Sequence, residues 1–124
     1  MGTEAMGRRE QTECGAYRAA IDELAARFAS QVASGDAIRA QHANILTWIP
    51  AEPPDAVFWP LSTNDVVTAV QIAGAHRVPI IPFGSGTSLE GHVNAPAGGI
   101  SIDLSRMNRI IAVNHRDLDC TLEA

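Results

Sequence analysis

A chain of 124 residues, 46% apolar and 19% charged, carries enough apolar surface for one modest core and too much for wholesale disorder. Its formal net charge of -5 and its dispersed cations argue against nucleic acid as a partner. All nine basic residues are arginines, so no lysine exists to form a Schiff base, act as a general base or complete a phosphate-loop NTPase.

Residues 1–15 are polar and aperiodic and read as a flexible tail, with Cys14 incidental to it. Tyr17, Ile21, Leu24, Phe28 and Val32 then recur at helical steps, with Glu23 and Arg27 four apart on the polar side. Gly35 ends this helix, and Asp36 caps a short second one over 37–41. The prolines at 50, 53 and 54 force an extended entry loop, which closes an N-terminal segment of helices and loop over 16–54.

From residue 55 the pattern changes. Residues 56–59 form a short apolar run closed by Pro60 and predict a buried strand. Ser62 and Asp65 mark a helix start, and Val66, Val67, Val70 and Ala73 continue it to about His76, because Pro79 excludes Val78 from the α region. Residues 78–82 predict a second strand, so strand, helix and strand make a parallel βαβ unit with a right-handed crossover. A glycine-rich loop over 83–99 leads to a third strand at 100–103. Residues 110–113 and 118–122 flank Asn114-His115-Arg116-Asp117 as an antiparallel hairpin, with Cys120 a buried strand thiol between Leu118 and Leu122. The expected fold class is α+β: an N-terminal helix, a small parallel βαβ subdomain, and the start of a second, antiparallel α+β subdomain.

Cys14 and Cys120 lack metal-like spacing, and His42, His76, His92 and His115 share no ligand pattern, so no metal site is expected. His76 reads as a favourable charge at a helix C-terminus, His115 as a turn residue, and Trp48 and Trp59 as core or interface aromatics. Asp103, at a strand end, reads first as a turn-former. No secretory signal and no apolar run near ~18 residues is present, which predicts a cytoplasmic protein without a transmembrane segment.

The chemistry concentrates in Phe83-Gly84-Ser85-Gly86-Thr87-Ser88-Leu89-Glu90-Gly91-His92. Glycines leaving a strand let backbone approach a ligand, and successive free N–H groups form an anion-binding concavity to which Ser85, Thr87 and Ser88 add hydroxyls. A phosphate or pyrophosphate suits such a loop. Two familiar motifs fail: Leu89 stands where a dinucleotide Gly-x-Gly-x-x-Gly needs its last glycine, and His92 stands where a phosphate loop needs lysine. The glycines alone leave a surface loop that binds nothing as an equal reading. Glu90 is better placed to hold the loop's shape than to act as acid or base.

The surrounding motifs narrow the choice. Asp55-Ala56-Val57, Pro60, Ser62-Thr63, Asp65-Val66, the run from Val78-Pro79-Ile80-Ile81-Pro82 through Gly91, and Ile102-Asp103-Leu104-Ser105-Arg106-Met107-Asn108-Arg109-Ile110 occur in that order. Over residues 36–124 this ordered set resembles the FAD-linked oxidases with a p-cresol methylhydroxylase-type FAD-binding domain, in the branch of D-lactate dehydrogenase (cytochrome) and the glycolate oxidase FAD subunit. The resemblance implies that Pro82, Phe83, Gly84, Ser85, Gly86, Thr87 and Ser88 contact the FAD pyrophosphate, with Gly91 and His92 closing the loop. Thr87 occupies the position where some relatives carry a histidine bonded to flavin, so FAD is expected to be non-covalent. The 103–108 motif would mark the crossing between two flavin subdomains, and residues 55–124 would be the N-terminal, incomplete part of the FAD domain.

In such proteins the groups that bind a 2-hydroxy acid and take its proton lie in a part beyond Ala124, including a substrate cap, so no catalytic residue is expected in this chain. The resemblance implies oxidation of a D-2-hydroxy acid, D-lactate or glycolate, with hydride passing to FAD and electrons to a cytochrome or quinone. It also allows peripheral attachment of a longer parent at the inner membrane. The alternative is a truncated, non-catalytic nucleotide-binding module with no activity alone.

Overall fold

The computed structural model describes residues 3–43 and 46–123, with side chains from Gly15 onward. Helix α1 spans Thr3–Phe28, so it begins well before the periodic stretch that starts at Tyr17. Where the sequence suggested a tail, the backbone is already helical; Ala, Glu, Gln, Met and Arg suit a helix without an apolar period. Met1, Gly2 and the Cys14 side chain lie outside the described residues.

Val32 corrects the expected helical stripe. Phe28 departs from helical dihedrals (φ -119°, ψ 2°), a 3-10 turn covers Ala29–Gln31, and Val32–Ala33 form a short strand, β1. A β-branched residue fits that pleated position, and Val32 still packs against the core from it. Helix α2 covers Asp36–Gln41, but its cap is Gly35 rather than Asp36. Asp36 is the first helical residue, where its charge faces the N-terminal dipole and pairs with Arg39 at 3.2 Å. Glu23 is likewise engaged across the fold rather than along its helix, its Oε2 lying 2.8 Å from His76 Nε2.

Strand β2 (Ala56–Phe58) is buried throughout. Helix α3 (Thr63–His76) starts where expected: the Ser62 hydroxyl accepts from the Asp65 N–H at 3.2 Å and donates to the Asp65 carboxylate at 2.9 Å. The helix ends at Arg77 in a left-handed conformation (φ 57°), before the extended Val78-Pro79 pair. Strands β3 (Ile80–Phe83) and β4 (Ile100–Asp103) complete a sheet of order β1-β2-β4-β3. β4 runs parallel to both neighbours, so the expected βαβ unit holds with the third strand lying between its two strands. β1 adds an antiparallel edge.

Alternation along these strands separates two jobs. Phe58, Ile100 and Ile102 face α1 and α3 and bury against Leu24, Ala69, Ile72 and Ala73, with the Phe28 and Phe58 ring centroids 4.9 Å apart. Val57, Ile81, Ser101 and Asp103 fall on the opposite face, where they too are buried.

The hairpin forms as predicted from β5 (Ile110–Asn114) and β6 (Asp119–Leu122), but every residue of both strands is exposed. Cys120 is therefore an exposed free thiol, not a buried one. Alternation decides which way a side chain points and not whether anything covers it.

Candidate cofactor-binding site

The glycine-rich loop leaves β3 at the carboxyl end of two parallel strands, the edge at which open parallel sheets place ligands. At that edge Phe83 stands opposite Asp103. Gly86 takes φ +71°, and a Cβ built on it would come within 2.8 Å of Phe83 Cζ, so both backbone and space require glycine. Gly84 has open space on its side-chain side. Around the loop lies a cavity of about 370 Å³ lined by Pro82, Gly84, Ser85, Gly86, Thr87, Ser88, His92 and Val93.

Seven of the nine residues singled out from the sequence thus meet in one concavity. Phe83 and Gly91 do not line it. Phe83 sits beneath the turn at Gly86, and Gly91 (φ +79°) is buried against Ile49. The Ser85 and Thr87 hydroxyls are 3.2 Å apart and exposed, and the Ser88 hydroxyl lies 2.6 Å from His92 Nδ1. Gly84 also borders a mainly apolar cleft of about 450 Å³ shared with Leu104, Met107, Ile110 and Leu122. A wider hollow of about 610 Å³ lies elsewhere, between α1 and the 97–98 turn; Arg18, Asp22, Arg39 and Asp55 give it mixed charge.

Under the loop lies a cluster that motif reading did not find. His42, 5% exposed, places Nε2 2.9 Å from Asp103 Oδ2 and Nδ1 2.8 Å from the Ile38 carbonyl. The Trp59 indole N–H donates to the same Asp103 oxygen at 2.8 Å, and the Ser105 N–H donates to Oδ1 at 2.8 Å. Burial pushes the Asp103 carboxyl up, but the bonds from Ser105, His42 and Trp59 outweigh it and hold the group below its ordinary range. The His42 ring packs on Phe83 with centroids 4.5 Å apart, and the Arg106 guanidinium lies 5.3 Å from the Trp59 ring centroid. Asp103 keeps its expected turn-forming bond to Ser105 while acting as the hub of this cluster. Trp59 is half-buried within it, whereas Trp48 is exposed. Sequence spacing gave no signal, because 61 positions separate His42 from Asp103 and only the sheet brings them together.

A family model described as "FAD binding domain" matches residues 54–124. The chain belongs to that FAD-binding family. It is 36% identical to a probable mitochondrial D-lactate dehydrogenase of Danio rerio, in an alignment covering 89% of this chain and 24% of that protein. It is 37% identical to glycolate oxidase subunit GlcD of Bacillus subtilis over 56% of this chain and 15% of that protein. Among solved structures, 4-ethylphenol oxidase from Gulosibacter chungangensis superposes with a TM-score of 0.74 at 26% identity, covering 82% of this chain and 21% of the oxidase. The chain therefore spans less than a quarter of the length of each of these proteins. The motif order read from the sequence and these relatives agree on FAD-linked oxidoreductases. Among the described residues no helix is long and apolar enough to cross a membrane.

Proposed function

We propose that this chain supplies the pyrophosphate cradle for FAD in an oxidoreductase that acts on a D-2-hydroxy acid such as D-lactate or glycolate. The observation that carries the cradle is the turn at Gly86, where positive φ and the underlying Phe83 ring leave no room for a Cβ while the cavity above is edged by backbone and small hydroxyls. A concavity of about 370 Å³ fits phosphate groups with part of a nucleotide, within the range of small-molecule sites. The N–H groups of residues 84–88 and the Ser85, Thr87 and Ser88 hydroxyls would donate to phosphate oxygens, with Pro82 shaping the entry and Gly91 and His92 closing the loop. Without lysine, backbone dipoles carry the anion recognition. Thr87 offers no ring nitrogen for a flavin bond, which supports non-covalent binding.

When bound, FAD accepts hydride, and the protein's part is to hold and orient it. Support for the substrate class is the D-lactate dehydrogenase and glycolate oxidase relatives. The test is Gly86→Val in the protein expressed from its full reading frame, with flavin retention read by absorbance and FAD affinity by fluorescence quenching. We expect loss of at least about one charge-assisted contact, a weakening of about tenfold or more. Unchanged stoichiometric flavin in that variant overturns the cradle.

A further inference from the structure

The cluster beneath the loop carries an assignment of its own. Both His42 ring nitrogens face atoms that only accept: a backbone carbonyl at Nδ1 and a carboxylate oxygen at Nε2. The Asp103 oxygens also accept from Ser105 and Trp59, so His42 joins α2 to a carboxylate that the end of β4 already holds in place. We propose that His42 is a positioning residue for the glycine-rich loop: its two ring nitrogens tie the Ile38 carbonyl, within α2, to Asp103, at the end of β4, and its ring pins Phe83, the residue from which the loop departs.

The other charges near this ring are few. Arg106 lies beyond the indole of Trp59, and Arg39 of α2 is turned to the Pro54 carbonyl and to Asp36. The His42–Asp103 contact is therefore the tie between α2 and the end of β4, and removing His42 leaves Asp103 held from Trp59 and Ser105 alone. Phe83 links the pair to the loop directly, since its ring touches His42 on one side and blocks any Cβ at Gly86 on the other.

The first test needs no ligand. In 15N spectra of the imidazole side chains, both His42 ring nitrogens should show the chemical shifts of hydrogen-bonded nitrogens; a ring nitrogen with the signature of a solvated imidazole overturns the tie. The second compares His42→Ala with His76→Gln, which removes an exposed contact between α1 and α3 far from the loop. Backbone order parameters over residues 83–88 should fall below about 0.6 in His42→Ala while α3 stays rigid, and neither region should change in His76→Gln. If His42→Ala does not fold, His42→Leu, which fills the space without a donor, is read by the same measurement. An unchanged loop in the variant that folds overturns the positioning role.

The consequence for FAD rests on the cradle reading, and the two can fail separately. With Gly86→Val weakening FAD, the His42 variant should also weaken it about tenfold or more while leaving the cavity residues in place. FAD lost in Gly86→Val but fully retained by the His42 variant overturns the positioning role alone. FAD retained in Gly86→Val overturns the cradle, while the order parameters still decide His42.

Discussion

Strands β4 and β5 look alike on paper, each a short β-branched run with an isoleucine pair, and they end in opposite environments. Every residue of β4 is buried, and every residue of β5 is exposed. β4 has a parallel neighbour on each side and helices α1 and α3 on one face, whereas β5 has only β6. Strand formation follows from local pattern; burial follows from what the rest of the fold brings to the face. The contrast also separates position, because the parallel strands end beside the glycine-rich loop while the hairpin borders the apolar cleft next to it.

The largest expected effect tests that contrast directly. Phe58 is fully buried between α1, α3 and β4, so Phe58→Ala should cost about 3–5 kcal/mol, read from the urea midpoint. Ile111, on the exposed hairpin, should cost no more than about 0.5 kcal/mol on truncation to Ala. Comparable losses at the two positions would mean that the hairpin is covered in solution, and the contrast would break.

A smaller effect probes the buried half by pH. Asp103 and Asp65 both have carboxyls held below their ordinary range. For Asp65 the Leu61 N–H is the main cause, with Ser62 and Gln31 adding to it; for Asp103 burial opposes the shift and the bonds from Ser105, His42 and Trp59 overcome it. A depressed folded value means that their stabilisation is present above about pH 4 and is lost as pH falls through the lower folded values. Thermal midpoints followed from pH 6 down to pH 2 should drop over that acidic window, and Asp103→Asn should flatten the drop. An acid profile unchanged by Asp103→Asn would remove Asp103 from the account.

Local chemistry was legible wherever a short segment decides the outcome. Ser62 caps α3 through Asp65, Pro79 keeps Val78 out of the helix, and the turn at 114–117 closes the hairpin. The loop residues were legible as a set because they are contiguous in the chain, and seven of the nine line one concavity. Four features were not. Val32 looked helical because a step of four also suits a residue that leaves the helix and returns to the same core. Cys120 looked buried because alternation says nothing about cover. Placing β4 between β2 and β3 is a choice among strand orders that all satisfy the same hydrophobic pattern. His42 became informative only when that order set it against Asp103.

The smallest expected effect lies in the hairpin itself. Arg109 Nη2 is 2.6 Å from Glu123 Oε1, and the Arg109 N–H donates to Glu123 Oε2 at 3.0 Å. The Arg109 side chain holds the Glu123 carboxyl below its ordinary range, with the Arg109 backbone N–H adding to it, while Glu123 holds the guanidinium above its own. Arg109→Gln removes the charge and keeps the backbone donor, so the Glu123 carboxyl should move only part of the way back up. Carboxyl 13C titration reads this without perturbing the core, and Asp103 should titrate as before in the same sample. The Arg109 guanidinium is largely open to solvent, which screens the pair, so the thermal midpoint should barely change. A clear loss of stability would show that the hairpin's closing contact matters to the buried half, and the two regions would then have to be treated as one cooperative unit.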